Sequence, residues 1–312
     1  MIEGGKIVNM LDLDFSQFEE ATYCETEPLR IFVQSLSYHV VGARFFSKQI
    51  SHLKPPPKWR LLDVGCGDGQ FTTTLLDELR KIKLVPDRIE GVDPDRENLR
   101  YFEKRLSQFP DISLECKKGK VETLGNDRSF IIVASHSLYG FLENPQHTEE
   151  FKDEKLLFLA RLAKDGGAVM ISLASRTSPA YEYKRRVLQT YRGVDRSIFG
   201  EDVIDRMVRL KLSGRVAIRN SYMDVTDLLK GDDTTLLDWT RYFCRLTASQ
   251  ALCIRPARLR SIMAELASKF SSLPRLLARA YSLAPAATRP PTPDSLVLPH
   301  KECFIVIPAM RN

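Results

Sequence analysis

The chain has 312 residues, of which 43% are apolar and 28% charged, with six cysteines and a formal net charge of +6. That suits one large α/β domain with additions, and no apolar run approaches the roughly 20 residues that span a bilayer. The first residues lack the apolar stretch of a secretory signal, the cysteines form no Cys-x-x-Cys pair, and His39, His52, His136, His147 and His300 show no metal-ligand spacing. Neither a disulfide framework nor a metal site is indicated, and a reducing cytoplasm fits.

Residues 1–53 read as amphipathic helix. Phe15, Phe18, Leu29, Phe32, Val33, Leu36, Val40 and Val41 recur at helical spacings, interrupted near Pro28. Lys54-Pro55-Pro56-Pro57-Lys58 ends that segment, because proline lacks the amide donor and clashes with the preceding turn. Short apolar runs then alternate with helical stretches, the rhythm of a parallel sheet with helices on both faces. Strands are predicted over Arg60–Val64, Arg88–Val92, Ile112–Glu115, Phe130–Ala134 and Ala168–Leu173. Helices are predicted over Gln70–Lys81, Asp95–Phe109 and His147–Ala163, with Asp165-Gly166-Gly167 as the stop of the last. Beyond residue 175, Ser178–Leu212 reads as mostly helical and polar, and 214–225 as a strand. Helices follow over Leu236–Leu246 and Arg258–Phe270, then a Pro-rich irregular loop over Pro285–Pro299 and a closing buried strand over Cys303–Ile307. The expected organisation is a helical lid over 1–56, a cofactor-binding core over 57–175, and a substrate-binding region with the last sheet strands over 176–312.

The positive charge is uneven. Residues 176–220 hold 11 Lys/Arg against 5 Asp/Glu, and residues 255–290 hold 7 against 1. Solvated helical faces would account for both; a basic rim that attracts an anionic substrate or nucleic acid is the alternative. Aromatic residues are not interleaved with these charges as a single-strand binder requires, so nucleic acid is not the expected partner.

The strongest chemical signal is Leu61-Leu62-Asp63-Val64-Gly65-Cys66-Gly67-Asp68-Gly69-Gln70: an apolar strand with an acid near its end, a glycine turn, and the start of a helix. Alternate glycines let the backbone turn tightly and approach a ligand where a Cβ would collide. The second strand ends on Asp93, where a nucleotide-binding βαβ unit holds a ribose diol. A dinucleotide fingerprint would place its third glycine at position 70, where Gln70 stands.

Glycine at 69, with Asp63 two residues before the first glycine, instead resembles the class I S-adenosylmethionine (SAM) methyltransferases. The resemblance implies a doubly wound, mostly parallel seven-stranded, Rossmann-like sheet whose last strand is antiparallel, with SAM as cofactor. Gly65, Gly67 and Gly69 would then lie beside the methionine portion, and Asp63 would bind its ammonium or simply cap the turn. Asp93 would accept the ribose hydroxyls, and Asn98 would reach the ribose or tail or remain an ordinary surface residue. Many members have an acid where Lys120 stands; lysine cannot accept a bond from the adenine amino group, which leaves backbone around Val121. The loop Ser135-His136-Ser137-Leu138-Tyr139-Gly140-Phe141 would border both cofactor and acceptor, with Ser135 on the cofactor side. His136 is a candidate proton acceptor or a structural histidine, and Tyr139 an aromatic wall for a cation or a core residue.

Met223-Asp224-Val225-Thr226-Asp227, Gly231-Asp232-Asp233, Leu236-Leu237-Asp238-Trp239, Leu138-Tyr139 and Phe304-Ile305-Val306-Ile307 are similar to the histamine N-methyltransferase family. That family implies a monomer that methylates a small-molecule amine with an added substrate-binding region, and no membrane partner is expected without a spanning apolar run. Thr26-Glu27 resembles the segment supplying its acceptor-binding glutamate, making Glu27 the candidate anion for a cationic substrate. The glutamine expected in the fourth-strand loop is His136, and the asparagine expected before the last strand aligns with His300. Two changed polar positions in a small pocket alter selectivity strongly, so histamine itself is not the expected acceptor.

Overall fold

The structure is a computed structural model that describes residues 37–121, 124–144, 146–191, 197–244, 246, 254–271 and 294–310. In chain order the first described elements are α1 (Tyr38–Leu53), β1 (Arg60–Val64), α2 (Gln70–Lys81), β2 (Arg88–Asp93), α3 (Arg96–Leu106), β3 (Ser113–Lys118) and β4 (Ser129–Ser135). There follow α4 (Tyr139–Leu142), α5 (Glu149–Leu162), β5 (Ala163–Ala174), α6 (Ala180–Thr190) and α7 (Gly200–Arg209). The last are β6 (Arg215–Asp224), α8 (Thr226–Lys230), α9 (Asp233–Cys244), α10 (Pro256–Ser268) and β7 (Val297–Pro308).

The strands form one sheet in the order β3-β2-β1-β4-β5-β7-β6. It is parallel from β3 to β5, and β7 runs antiparallel to both β5 and β6. This is the doubly wound class I architecture, with its antiparallel strand where the terminal apolar run predicted it. Because side chains alternate along a strand, each central strand feeds two cores. Leu61, Ile131, Val133 and Phe304 pack with Phe46, Leu75, Leu79 and Phe102 from α1, α2 and α3. Leu62, Ile132, Ala134 and Ile305 pack on the other face with Leu156 and Leu159 of α5 and Met207 of α7. Burying one such side chain contributes about 1.5–3 kcal/mol.

Local sequence explains the helix starts. Asp95 caps α3 by accepting from Glu97 N–H at 2.8 Å, and Lys104 and Arg105 occupy its last turn. Thr148 caps α5 through Phe151 N–H at 3.2 Å. α1 is a member of the first core layer, its Phe46 ring 5.6 Å from Phe304 and 5.8 Å from Phe71.

Several boundaries differ from the sequence reading. Asp165-Gly166-Gly167 does not cap α5; it lies inside β5, which begins at Ala163 with a shift of register between Ser129 and Ile131. Gly166 has φ +79, and a Cβ at Gly167 would collide with the Phe130 carbonyl oxygen, so the glycines serve a bulge pressed against β4. The stretch 178–212 contains two helices, α6 and α7, rather than one run. Short helix α4 occupies a segment read as a loop, and short helix α8 follows directly on the strand read over 214–225. β7 starts at Val297, six residues earlier than expected, with Pro299 opposite Tyr222 of β6. Pairing to β5 extends only to Glu302, and Tyr222 gives its own N–H and C=O to Ser37, so neither neighbouring strand needs the amide that Pro299 lacks.

Candidate functional site

The site is built at the carboxyl ends of β1, β2 and β4, where ligands lie in open α/β sheets. After β1 the chain turns through Gly65 (φ +69), Gly67 (φ +53) and Gly69 (φ +81), all in the left-handed region. A Cβ at Gly65 would collide with that of Ser137, so the first turn is pressed against the loop after β4. A Cβ at Gly67 would meet nothing within 4 Å. The middle of the loop therefore faces open space while its ends are packed. Asp68 fixes the turn, accepting from Gln70 N–H at 3.0 Å and from Arg105 Nη2 of α3 at 2.7 Å.

Asp93 closes β2 and is 6% exposed. Its Oδ2 accepts from Gly67 N–H at 2.9 Å; its Oδ1 accepts from Asp95 N–H at 2.9 Å and Asn98 Nδ2 at 3.3 Å. A carboxylate offers about four lone-pair sites, so one remains after these three bonds. Asn98 is buried rather than on the surface, and it orients Asp93. Burial raises the Asp93 carboxyl above the ordinary carboxylate range, against these hydrogen bonds.

Asp63 is 2% exposed and accepts a bond from Thr72 Oγ1 of α2. Burial pushes its carboxyl up to about 7, with the Thr72 bond opposing and Asp93 adding to the rise. Val121 is buried against Leu62, Val64 and Val92, with Lys120 exposed beside it.

The loop after β4 holds a second cluster. His136 stands at φ +54, a left-handed conformation that costs a non-glycine residue on the order of 1 kcal/mol and collects at functional sites. Its Nδ1 is 3.1 Å from Tyr139 Oη, which accepts from Ala174 N–H at 3.2 Å. Its Nε2 is 3.1 Å from Glu302 Oε2. The other oxygen of Glu302 is 2.6 Å from His300 Nε2, and His300 Nδ1 is 2.8 Å from Ser178 Oγ. Burial raises the Glu302 carboxyl, but His136 and His300 more than offset that and hold it lowered to about 2. The Tyr38 ring of α1 lies 4.1 Å from the His136 ring. His39, next along, is buried with Nε2 3.2 Å from Gln70 Nε2, and burial lowers its imidazole to about 4.

The structure thus brings together Asp63, Gly65, Gly67, Gly69, Asp93 and Asn98 at one edge, and Ser135, His136 and Tyr139 at the other. His300 departs from expectation: it lies inside β7, 1% exposed, and joins the cluster only through Glu302. Glu27 lies outside the described residues. Glu302 and Tyr38 were not singled out from sequence, although a His-x-Glu spacing entering an apolar strand puts two polar groups on one face. Several arginines of the basic segment 176–220 are held in ion pairs. Arg176 pairs with Asp202, Arg186 with Glu182 and Glu265, and Arg206 and Arg209 with Asp153.

Residues 61–167 match a family described as a methyltransferase domain. A sequence comparison with curated proteins found no match. Among solved structures, the YcgJ protein of Bacillus subtilis is 14% identical, covering 84% of this chain and 97% of its own, with a TM-score of 0.47. Magnesium protoporphyrin IX methyltransferase of Synechocystis PCC 6803, with bound SAH, is 15% identical over 62% of this chain and 79% of its own, at 0.42. The plantazolicin methyltransferase BpumL, in complex with SAH, is 12% identical over 92% and 89%, at 0.44.

The residues present fit a nucleoside with a zwitterionic tail. Space is open off Gly67, and the buried hydroxyls of Ser135 and Ser137 have no hydrogen-bond partner among the described residues. Asp93 keeps an acceptor site, and Asp63 holds a carboxyl whose charge a neighbouring cation would stabilise. With that family match, residues 61–167 carry a methyltransferase domain, whose cofactor is S-adenosylmethionine.

Proposed function

We propose that the chain methylates a nitrogen of a small amine other than histamine, in the manner that its similarity to histamine N-methyltransferases implies. The observation that carries this reading is the His136 cluster. A buried carboxylate stands behind an imidazole flanked by the rings of Tyr38 and Tyr139, beside the glycine loop. Aromatic faces and a buried anion favour a cationic or amine ligand.

SAM supplies an electrophilic methyl group, whose transfer needs a nucleophile held in line and near van der Waals contact. The chain's own residues position and deprotonate. The glycine-loop backbone and Asp63 hold the methionine end, Asp93 oriented by Asn98 takes the ribose hydroxyls, and Val121 backs the adenine. Ser135 lies on the cofactor side. His136, with Tyr139, takes the proton that the acceptor nitrogen loses. His300 acts on the acceptor through Glu302, and Glu27 would add an anion from the N-terminal segment. Residues 57–175 hold the cofactor and 176–312 shape the acceptor side; most of the lid expected over 1–56 lies outside the described residues.

The test is to incubate the protein and methyl-labelled SAM with a small-metabolite extract, and in parallel with total RNA and total protein. Label in a small amine supports the reading, and label in RNA or protein overturns it in favour of a macromolecular acceptor. Label nowhere, with SAM bound, overturns it in favour of a non-catalytic role. In the same assay His136→Ala should keep SAM affinity and lose turnover by about 10²-fold; unchanged turnover removes His136 from the chemistry.

A further inference from the structure

Residues from three distant segments meet in one unbroken line: Tyr139 and His136 after β4, Ser178 before α6, and His300 and Glu302 in β7. Every link is 3.1 Å or shorter. The carboxylate of Glu302 sets the direction of the bonds. It is fully buried, an ionised carboxylate only accepts, and a buried anion persists only where donors reach it. Each imidazole therefore carries its proton on Nε2, one aimed at each oxygen. Each neutral ring then accepts at Nδ1, from the Tyr139 hydroxyl for His136 and from the Ser178 hydroxyl for His300. The amides of Ala174 and Lys301 donate to those same hydroxyl oxygens.

We propose that Glu302 is a positioning residue for methyl transfer: its carboxylate accepts the Nε2–H of His136 and of His300, which fixes His136 with a basic Nδ1 on the Tyr139 side. This rests on the reading of His136 as the acceptor-side base. The proton given up by the acceptor nitrogen passes to Tyr139 Oη as the Tyr139 proton moves to His136 Nδ1. The resulting imidazolium is held by Glu302. His300, itself held by Ser178, occupies the second oxygen and stops the carboxylate turning away from His136. The arrangement follows general logic for oriented bases, in which a third group selects the tautomer of the second.

Glutamine at 302 offers one acceptor and one NH2 donor, so it can satisfy only one of two Nε2–H donors. The experiment is nitrogen-15 NMR of histidine-labelled protein, wild type and Glu302→Gln, with turnover measured from methyl-labelled SAM and the cationic fraction of a metabolite extract. The expected wild-type result is Nε2–H for both His136 and His300. In Glu302→Gln one of them should change to Nδ1–H, with turnover lower by about tenfold or more and SAM affinity unchanged. A wild-type His136 carrying its proton on Nδ1 overturns the proposal without any variant. So does a changed His136 tautomer with unchanged turnover, or unchanged tautomers of both histidines in Glu302→Gln. If His136→Ala abolishes turnover while Glu302→Gln does not, the positioning role fails and the acceptor reading stands. If the wild type labels no small amine, the acceptor reading fails and the tautomers alone decide whether Glu302 sets His136.

Discussion

Replacing Gly67 by alanine separates the two demands that the glycine loop meets. At φ +53 an alanine costs about 1 kcal/mol through its Cβ, and no atom within 4 Å adds a clash. For a chain of this size that lowers Tm by about 2 °C. The new methyl, however, fills the open side of the turn where the cofactor is proposed to lie. SAM affinity should fall on the order of 10²-fold, equivalent to about 2.7 kcal/mol. Gly65→Ala is the contrast. It has the same backbone strain and also drives a Cβ into Ser137, so overpacking adds about 1–3 kcal/mol to the loss of stability. Titration calorimetry with SAM, alongside thermal melts of both variants, reads the two effects separately. Gly67→Ala that binds SAM like wild type would refute the placement of the ligand. So would a binding loss matched by a melt as low as that of Gly65→Ala, since the loop would then simply have unfolded.

Asp93→Ala strips the acceptor from Gly67 N–H, Asp95 N–H and Asn98 at once, and SAM binding should become undetectable by calorimetry; wild-type affinity would sink the ribose assignment. Asp63 titrates near 7 in the fold against about 3.9 unfolded. Its folded form therefore keeps a proton that the unfolded chain releases, and its contribution to stability is full below about pH 4 and lost as pH rises through about 7. Asp63→Asn should flatten that part of the urea-denaturation stability profile between pH 4 and 7. Because the ammonium requires the anion, wild-type SAM affinity should climb with pH up to about 7, whereas Asp63→Asn should bind weakly and evenly. A variant that retains the wild-type slope in either measurement disproves the role of Asp63.

Much of this was legible in the chain itself, because the relevant physics is local. β1 and α2 have the bounds that their apolar period and the intervening glycines predict. The left-handed turn after Val64 is a steric requirement that three alternate glycines announce. Asp93 reaches the ligand edge simply by ending its strand. Other residues could not be interpreted one segment at a time. Asp165-Gly166-Gly167 looks like a helix stop until Phe130 of β4 is pressed against Gly167. Asn98 looks like a surface polar residue until Asp93 needs a donor.

The farthest case is the His136 cluster. His136 and Glu302 lie 166 positions apart, and neither residue's neighbours encode the other. They meet because β7 inserts antiparallel between β5 and β6, which puts Glu302 opposite Ala174 at the carboxyl end of β5, the strand that pairs with the end of β4. The glycine loop can be read from the chain because backbone sterics and side-chain period act over a few residues. Which buried carboxylate stands behind which imidazole depends instead on strand order and register, and those are fixed by packing across the whole sheet.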